Sequence, residues 1–505
     1  MGFRLCQRWC DYYKGEREET ERCLASELLN FWQSRDPRVA SALESLGAVD
    51  AGEINDYSVL EDIVCQFCVF RSHGCDFAAR PADGLAPPCG ALKVLAHLVK
   101  RSGLSRDDLK VAWDNFKNNG YLRLAEHAVL RHLEAPYLYD RVGDELYELN
   151  DEAYAFLGRC DGVTPGLGAQ CEPEFLDFVL KESLLACQGE PRWRKLQGRS
   201  SPVPSLRYLE LMLTERCNLR CLHCYLGQTG ATDLPLADTL AILRQFEEMQ
   251  GLRVLLSGGE PLLYPWWEEL NRHLSEFELR FVLLTNGVLL TEEVLSRLRV
   301  QEIQISLDGL EAGHDRLRGR GTWSKATAHL QAAREFGFDL SVATMIYAGN
   351  LHELEDLGRL LQQWQVKEWS LDVPCATGRW PAHPELMVSP EVAAPLLELG
   401  FGSSRHTSEE GFACGHHLAA VLPSGQVAKC GLYAHHPLGH WQEGLETCWR
   451  RLSHVPLKDL ECAPCPHLEE CQGGCRFRAG EGLAPDPVMC ARYGVDPARF
   501  RKQES

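Results

Sequence analysis

The sequence lacks the features that mark membrane, secreted and nucleic-acid-binding proteins. No window reaches the ~18 apolar residues of a membrane helix, and residues 1–10 show no apolar signal-peptide core. The chain has no dense run of lysine and arginine, and its net charge is −19, so a basic surface for nucleic acid is not expected. Tandem repeats and low-complexity tracts are also missing. We therefore expect a cytoplasmic protein that binds neither membrane nor nucleic acid.

Cysteine, by contrast, is abundant. The 505 residues include 22 cysteines, far more than an intracellular enzyme needs for packing. Because no export signal is visible, disulfides are not expected, and cysteines clustered at short spacing are typical of metal or cluster ligands. The composition, 45% hydrophobic and 24% charged, is typical of a globular protein. The length of 505 residues predicts about three or four domains.

Composition divides the chain into four regions. Residues 1–100 are helix-like and contain cysteines, and residues 101–200 form a second module. That module ends in a polar linker rich in proline and glycine at Gly189–Pro204. Residues 205–380 alternate strand-like and helix-like segments, whereas residues 381–505 are loop-rich with a dense run of cysteines.

The alternation in the third region predicts an α/β fold with a parallel sheet and helices outside it. In such folds the active site lies at the carboxyl ends of the strands. The helix-like segments include Ala237–Met249 and Thr291–Arg299. The six strand-like runs are Tyr208–Thr214, Arg253–Ser257, Arg280–Thr285, Glu302–Leu307, Leu340–Ile346 and Glu368–Val373.

Three cysteines at C-x3-C-x2-C spacing follow the first strand-like run. Thiolates of Cys217, Cys221 and Cys224 can hold three corners of a 4Fe–4S cubane, which leaves its fourth iron open to chelate a small molecule. A zinc site is the alternative, with His223 as the fourth ligand. The motifs along the rest of this region favour the cluster.

This loop resembles the signature of the radical S-adenosylmethionine (SAM) superfamily, C-x3-C-x-aromatic-C, with His223 in the aromatic position. Later strand ends carry segments that resemble the family's SAM-contacting motifs in the same order, up to about residue 375. The resemblance implies a partial (βα)6 TIM-like barrel. It also implies a reduced cluster that cleaves SAM to methionine and a 5′-deoxyadenosyl radical, which abstracts hydrogen from the substrate. The SAM-contacting residues that it implies are Gly258, Gly259, Glu260 and Pro261 of a GGEP motif, Asn286 of a TNG motif, Ser306 and Asp308 near the ribose, and Arg318 near the carboxylate.

The C-terminal cysteines resemble the seven-cysteine pattern of the SPASM domain, C-x9–15-G-x4-C, C-x2-C-x5-C-x3-C, C. The resemblance implies two auxiliary 4Fe–4S clusters, named here cluster I and cluster II. On spacing alone, a pair of zinc knuckles is the alternative. The implied ligands are Cys414, Cys430 and Cys475 for cluster I, and Cys462, Cys465, Cys471 and Cys490 for cluster II.

Cluster I has only three ligands in this pattern. Some relatives add a cysteine just upstream of the first one, where this chain has Thr407 and Ser408. Cys375 is a candidate fourth ligand, although a buried free thiol is the usual role of a lone cysteine. In relatives that form thioethers, an open iron binds a substrate thiolate. Sulfatase-maturating relatives carry an aspartate where Gly431 follows Cys430 here, which speaks against sulfatase maturation.

Residues 121–187 contain two short alternating strands, a small helix, a DG turn and a second helix at Pro173–Leu185. This order resembles the PqqD-like peptide-recognition module, which binds a leader peptide as an added strand. A plain structural winged helix is the alternative.

Four further cysteines precede this module at C-x2-C-x6-C-x13-C spacing. They predict a zinc or iron–sulfur site, with the choice between the metals open. The scattered cysteines, such as Cys160, Cys187 and Cys448, are expected to act as ordinary small apolar residues. The four candidate ligands are Cys65, Cys68, Cys75 and Cys89.

Together these resemblances imply a radical SAM enzyme that modifies a peptide or protein and receives electrons from a ferredoxin or flavodoxin. Thioether formation from a substrate cysteine is the specific expectation, supported by the recognition module and by an open cluster I. The alternatives are modification of a small molecule, such as a tetrapyrrole or cofactor precursor, and a non-catalytic iron–sulfur electron-transfer protein. No residue emerges as a catalytic acid or base, although Glu215 and Asp372 lie near strand ends.

Overall fold

The chain divides into two compact units in the computed structural model. The first unit comprises residues up to 130 together with 135–140 and 147–198, and the second comprises 131–134, 141–146 and the residues from 199 onward. Within the described ranges, no helix is both long and apolar enough to cross a bilayer. The structure describes residues 24–44, 63–68, 90–101, 103–196, 198–228, 230–402, 411–480 and 483–500.

The first unit packs helices and short strands around an apolar core. Its strand β1 pairs antiparallel with β5 and β6, in the order β5–β1–β6. Strands β2, β3 and β4 form a separate sheet in that order, although residues 131–132 of β2 and 145–146 of β4 are assigned to the second unit. The helices are α1 (Leu24–Gln33), α2 (Pro37–Glu44), α3 (Gly90–Arg101), α4 (Arg106–Asn119), α5 (Asp151–Leu157) and α6 (Pro173–Lys181). The strands are β1 (Tyr121–Leu124), β2 (Ala128–His132), β3 (Pro136–Asp140), β4 (Glu145–Glu148), β5 (Asp161–Pro165) and β6 (Leu185–Gln188).

Local sequence explains where these elements begin and end. Ser105 and Asp108 form a capping box at the start of α4, which satisfies amide groups that the first turn leaves unpaired. The predicted helix Pro173–Leu185 was too long, because α6 ends at Lys181 and Ser183 takes a positive φ of 59°. The chain then enters β6, and the predicted DG turn forms the first two residues of β5.

An open nine-stranded sheet lies at the centre of the second unit, in the order β12–β11–β10–β9–β8–β7–β13–β14–β15. Neighbouring strands from β7 to β12 are parallel, as predicted, and their predicted bounds agree to within one residue. These strands are β7 (Tyr208–Thr214), β8 (Arg253–Gly258), β9 (Arg280–Thr285), β10 (Glu302–Ser306), β11 (Asp339–Met345) and β12 (Glu368–Asp372).

Three C-terminal strands extend this sheet, in a region that was predicted only to be loop-rich. Strand β13 (Leu418–Val421) pairs parallel with β7, and β14 (Gln426–Ala428) and β15 (Gly439–His440) follow antiparallel. The extension was not predicted because each strand has only two to four residues, which is too short to show a period of two.

Helices connect the parallel strands and contribute to the apolar core of this unit. Ile242, Leu243 and Phe246 of the first helix belong to the same buried cluster as Leu209 and Leu211 of β7. Because β7 to β12 are parallel, their carboxyl ends share one edge of the sheet. The helices are α7 (Leu236–Glu248), α8 (Trp267–His273), α9 (Glu292–Leu295), α10 (Glu311–Arg318), α11 (Thr322–Glu335), α12 (Leu354–Gln363), α13 (Pro390–Ala393), α14 (Leu445–Trp449), α15 (Leu468–Cys471) and α16 (Pro487–Arg492).

Candidate active site

The loop after β7 carries Cys217, Cys221 and Cys224, all of them half-buried. The N–H of Cys224 donates to the carbonyl of Cys221 (3.3 Å), and the N–H of Leu222 donates to the carbonyl of Leu317 in α10 (2.9 Å). Burial raises the pKa of the Cys217 thiol to about 11 and also raises the pKa of Cys221. A bound cation is needed to hold such thiols as thiolates at neutral pH.

Two glycines let the end of β8 approach the backbone that leads into this loop. Gly258 has a φ of +132°, and a Cβ on Gly259 would lie 2.3 Å from the carbonyl oxygen of Arg216. Because neither glycine has a Cβ, the two backbones approach closely enough for hydrogen bonds. The N–H of Gly259 donates to the carbonyl of Thr214 (2.7 Å), and the N–H of Glu260 donates to the carbonyl of Arg216 (2.8 Å). The first half of the GGEP motif is thus a site of close backbone approach.

The side chain of Glu260 joins the GGEP motif to the TNG motif. It is fully buried, and its carboxylate accepts hydrogen bonds from Thr285 Oγ1 (2.7 Å) and the N–H of Asn286 (3.0 Å). Asn286 Nδ2 in turn donates to Asn218 Oδ1 (2.8 Å) in the cysteine loop. Burial raises the pKa of Glu260 to about 7. Glu260 therefore positions the two neighbouring strand ends through its buried carboxylate.

Asp308 and Arg318 form a buried ion pair beside the cysteine loop. Burial opposes ionisation of Asp308, but the charge of Arg318 prevails and lowers the pKa of that carboxyl. The other carboxylate oxygen accepts from the N–H of Met345 (2.8 Å), and Arg318 Nη2 lies 3.4 Å from His223 Nε2. The structure thus brings Asp308 and Arg318, two of the predicted SAM-contacting residues, next to the cysteine loop. Ser306 ends β10 and is half-buried.

An unsatisfied polar atom in this loop tests the fit of the implied cofactor. Nδ1 of His223 is buried and has no hydrogen-bond partner among the described residues. Burial lowers the pKa of His223 to about 4, so its imidazole is neutral. Buried polar atoms are nearly always paired in native proteins. A polar molecule beside Cys221 and Arg318 would satisfy this atom, so the residues present fit a cluster with SAM.

Glu210 is a buried carboxyl that the sequence reasoning did not single out. It accepts hydrogen bonds from Ser257 Oγ (3.1 Å) and from the N–H of Gly431 (3.1 Å), and Tyr225 Oη lies 3.5 Å away. Burial raises its pKa. Glu210 thus connects β7 with the residues that follow Cys224 and Cys430. A glutamate inside the otherwise apolar run of β7 was the signal that could have found it.

The structure brings the predicted ligands of cluster II together. A single small cavity is lined by all four of them, with Met489 and Tyr493 among its other residues. Of the predicted cluster I ligands, Cys414 and Cys430 both interact with the thiol of Cys475. The four cysteines around the cavity are Cys462, Cys465, Cys471 and Cys490.

Only part of the predicted N-terminal metal site falls within the described residues. Cys65 and Cys68 lie at a single short 3-10 turn, Cys65–Phe67, whereas Cys75 and Cys89 lie outside the described ranges. No three His, Cys, Asp or Glu side chains of the described residues converge as the ligands of one metal ion do. Each thiolate of a cubane binds its own iron, so cluster ligands need not converge in this way. The N-terminal site stays a prediction.

Comparison with protein families identifies the centre of the second unit. Residues 211–361 match the family model of the Radical SAM superfamily. The chain contains a radical SAM domain. The matched segment begins on β7 and ends within α12, so it includes the cysteine loop and every strand-end motif described above. This domain implies a 4Fe–4S cluster and SAM.

The chain is also similar to several curated proteins. It is 27% identical to the mycofactocin maturase MftC of Mycobacterium tuberculosis over 335 residues, which cover 58% of this chain and 84% of that protein. It is 24% identical to an AdoMet-dependent heme synthase of Nitratidesulfovibrio vulgaris over 345 residues, which cover 56% of this chain and 92% of the synthase.

A solved structure shares the fold over a longer stretch. Streptococcus suis SuiB bound to SAM superposes with a TM-score of 0.54 at 15% identity, covering 72% of this chain and 98% of SuiB. SuiB has also been solved bound to its precursor peptide SuiA, and that structure gives a TM-score of 0.51. This likeness shows that the chain shares the α/β fold of SuiB over that stretch.

Proposed function

We propose that this chain is a radical SAM enzyme that modifies a peptide or protein substrate. The observation that carries the proposal is the extent of its likeness to maturases. The mycofactocin maturase aligns with 58% of the chain, well beyond the radical SAM domain of residues 211–361. The fold likeness to SuiB, a protein that binds a precursor peptide, reaches 72% of the chain. A shared architecture outside the domain supports a shared class of substrate.

The strand-end residues have defined roles in this proposal. When bound, the cluster and SAM supply the 5′-deoxyadenosyl radical that abstracts hydrogen from the substrate. Cys217, Cys221 and Cys224 would hold the cluster. Arg318 would orient the SAM carboxylate while Asp308 holds its guanidinium in place, and burial of this pair keeps water from the reacting atoms.

The C-terminal cysteines would hold the two auxiliary clusters of a SPASM domain. The cavity lined by Cys462, Cys465, Cys471 and Cys490 supports cluster II. Electrons would come from a small reductant such as a ferredoxin or flavodoxin. Formation of a thioether from a substrate cysteine stays a finer prediction within this proposal.

The first unit would recognise the substrate. Along the chain, β3 and β4 are followed by α5, β5 and α6, which is the order expected for a PqqD-like module. Strands β5 and β6 are both edges of a small sheet, and an extended peptide can add to such an edge through main-chain hydrogen bonds. Val163 of β5 is 40% exposed, as expected of a strand that offers a face to a partner.

Modification of a small molecule is the second candidate. The similarity to an AdoMet-dependent heme synthase, which covers 92% of that protein, favours it. That alignment covers 56% of this chain, about as much as the alignment with mycofactocin maturase. The fold likeness to SuiB over 72% of the chain favours the peptide substrate, because a small-molecule reaction would give the first unit no role.

One experiment separates the two substrate classes. Full-length, anaerobically reconstituted protein is incubated with SAM, a reductant and a size-fractionated extract of its native cells, and 5′-deoxyadenosine is quantified. We expect a fraction that stimulates 5′-deoxyadenosine formation and loses this effect after protease treatment. Stimulation that survives protease would point to a small molecule and overturn the proposal. Cys221→Ala should abolish the product with every fraction, and Cys448→Ala is the matched control for loss of a thiol.

A further inference from the structure

Cys375 lies three residues beyond the end of β12. Its carbonyl accepts a hydrogen bond from the N–H of Thr377 (2.7 Å), and the N–H of Arg379 donates to the carbonyl of Cys224 (3.0 Å). A Cβ on Gly378 would lie 2.2 Å from the same Cys224 oxygen. The turn that carries Cys375 is therefore fixed against the catalytic cysteine loop.

A bridge of charges, buried at Arg478 and Asp486 and half-exposed at Asp372, connects the same strand end to the C-terminal cysteines. Arg478 contacts Asp372, the last residue of β12, and pairs with Asp486 at 2.7 Å. Asp486 is fully buried and also accepts a hydrogen bond from the N–H of Cys475 (2.8 Å). Breaking the buried Arg478–Asp486 pair is costly, so Asp486 keeps Cys475 in place. The contact of Arg478 with Asp372 then connects Cys475 to the end of β12, next to the turn that carries Cys375.

The thiols themselves form one group. The thiols of Cys375 and Cys414 both adjoin the thiol of Cys475. The thiol of Cys430 interacts with that of Cys475 as well. The ammonium group of Lys429 interacts with Cys414, Cys430 and Cys475. Its positive charge would partly balance the negative charge of these cysteines as thiolates.

We propose that Cys375 is the fourth ligand of cluster I, beside Cys414, Cys430 and Cys475. Four cysteine thiolates are a complete ligand set for a 4Fe–4S cluster. This inference rests on the proposed function, which assigns cluster I to the C-terminal cysteines. A fully ligated cluster I has no open iron for a substrate thiolate. It thereby removes one of the two supports for thioether formation and leaves cluster I as a carrier of electrons.

The test asks whether cluster I has an open iron in a full-length chain that cannot form the catalytic cluster. The background is the triple variant Cys217→Ala, Cys221→Ala, Cys224→Ala, reconstituted and reduced under anaerobic conditions. Isotopically labelled cyanide is the probe, and electron–nuclear double resonance reads its binding to iron. We expect no coupling from the label in this background. Adding Cys375→Ala should produce the coupling, whereas adding Cys448→Ala, which removes a fully buried thiol, should not.

Each outcome decides the proposal. Coupling in the triple variant itself would overturn it, because cluster I would then have an open iron with Cys375 present. No coupling after Cys375→Ala, at unchanged iron content, would overturn it too. Loss of about four irons per chain on Cys375→Ala, but not on Cys448→Ala, would support Cys375 as a ligand. A triple variant without any iron–sulfur cluster would refute the auxiliary clusters themselves, whereas an open iron refutes Cys375 alone.

Discussion

Arg318 contributes to the stability of the fold as well as to the site. We predict that Arg318→Met lowers the free energy of unfolding by about 3–5 kcal/mol, because it leaves the fully buried carboxylate of Asp308 without its cation. Calorimetry of the metal-free chain measures this loss. Arg450→Met is the control, since Arg450 forms an exposed pair with Glu446, and such pairs contribute about 0–1 kcal/mol.

The double variant with Asp308→Asn should recover part of the lost stability, because it removes the uncompensated charge. Equal losses in Arg318→Met and Arg450→Met would contradict the assignment of a buried ion pair. Losses that simply add in the double variant would contradict it as well.

Glu260 predicts a pH dependence with a definite sign. Its pKa rises from 4.5 to about 7 in the folded chain, so the folded state binds more protons than the unfolded state between these values. Stability contributed by Glu260 therefore falls as the pH rises from about 4.5 to about 7, in total by about 3 kcal/mol at 1.36 kcal/mol per pKa unit. Glu260→Gln removes this titration.

Thermal midpoints of wild type and Glu260→Gln across that pH range test the prediction. Relative to the variant, wild type should lose stability as the pH rises. A midpoint difference that stays constant between about pH 4.5 and about pH 7 would show that Glu260 does not titrate there.

At the scale of elements, the close approach of β8 to the cysteine loop depends on Gly259. We predict that Gly259→Ala reduces the iron bound at the loop and lowers 5′-deoxyadenosine formation at least about tenfold, because a Cβ there would collide with the Arg216 carbonyl. Gly198→Ala is the matched control, since its Cβ would meet no atom within 4 Å. Equal activity of the two variants would show that the loop tolerates displacement.

The strands β7 to β12 could be predicted because each is a short run rich in apolar residues, and longer helix-like segments separate the runs. Their carboxyl ends, and so the place of the motifs, followed from the topology. Strands β13 to β15 could not be predicted, because their pairing depends on β7, which lies some two hundred residues earlier (Leu418 pairs with Tyr208). The end of α6 could not be predicted either, because it depends on a positive φ at Ser183, which serine rarely adopts.

The residues of the site could be predicted from the sequence, but the hydrogen bonds and the ion pair between them could not. The order of the motifs placed Glu260 and Asp308 just beyond strand ends and Arg318 in the segment that follows Asp308. The structure agrees, with Arg318 as the last residue of α10. The hydrogen bonds of Glu260 to the TNG motif and the pairing of Asp308 with Arg318 join residues distant in sequence. Glu210 was missed because its partner Gly431 lies on a separate C-terminal segment.

At the scale of the whole molecule, the radical SAM strands and the C-terminal cysteines belong to one compact unit. Strand β13 covers the edge of β7, where Leu209 and Leu211 are fully buried. We predict that a chain truncated after residue 380 aggregates, because it exposes the backbone of this edge strand. Size-exclusion chromatography of the truncated and full-length chains checks this, and a monomeric, folded truncation would contradict it.

Cleavage of SAM by the cluster at the cysteine loop can be measured without knowing the substrate. Wild type, Cys221→Ala and Cys448→Ala are reconstituted anaerobically, reduced in the presence of SAM, and assayed by mass spectrometry for 5′-deoxyadenosine and methionine. We predict both products in equal amounts from wild type and Cys448→Ala, and neither from Cys221→Ala. Failure of cluster-loaded wild type to form 5′-deoxyadenosine, or equal formation by Cys221→Ala, would contradict it.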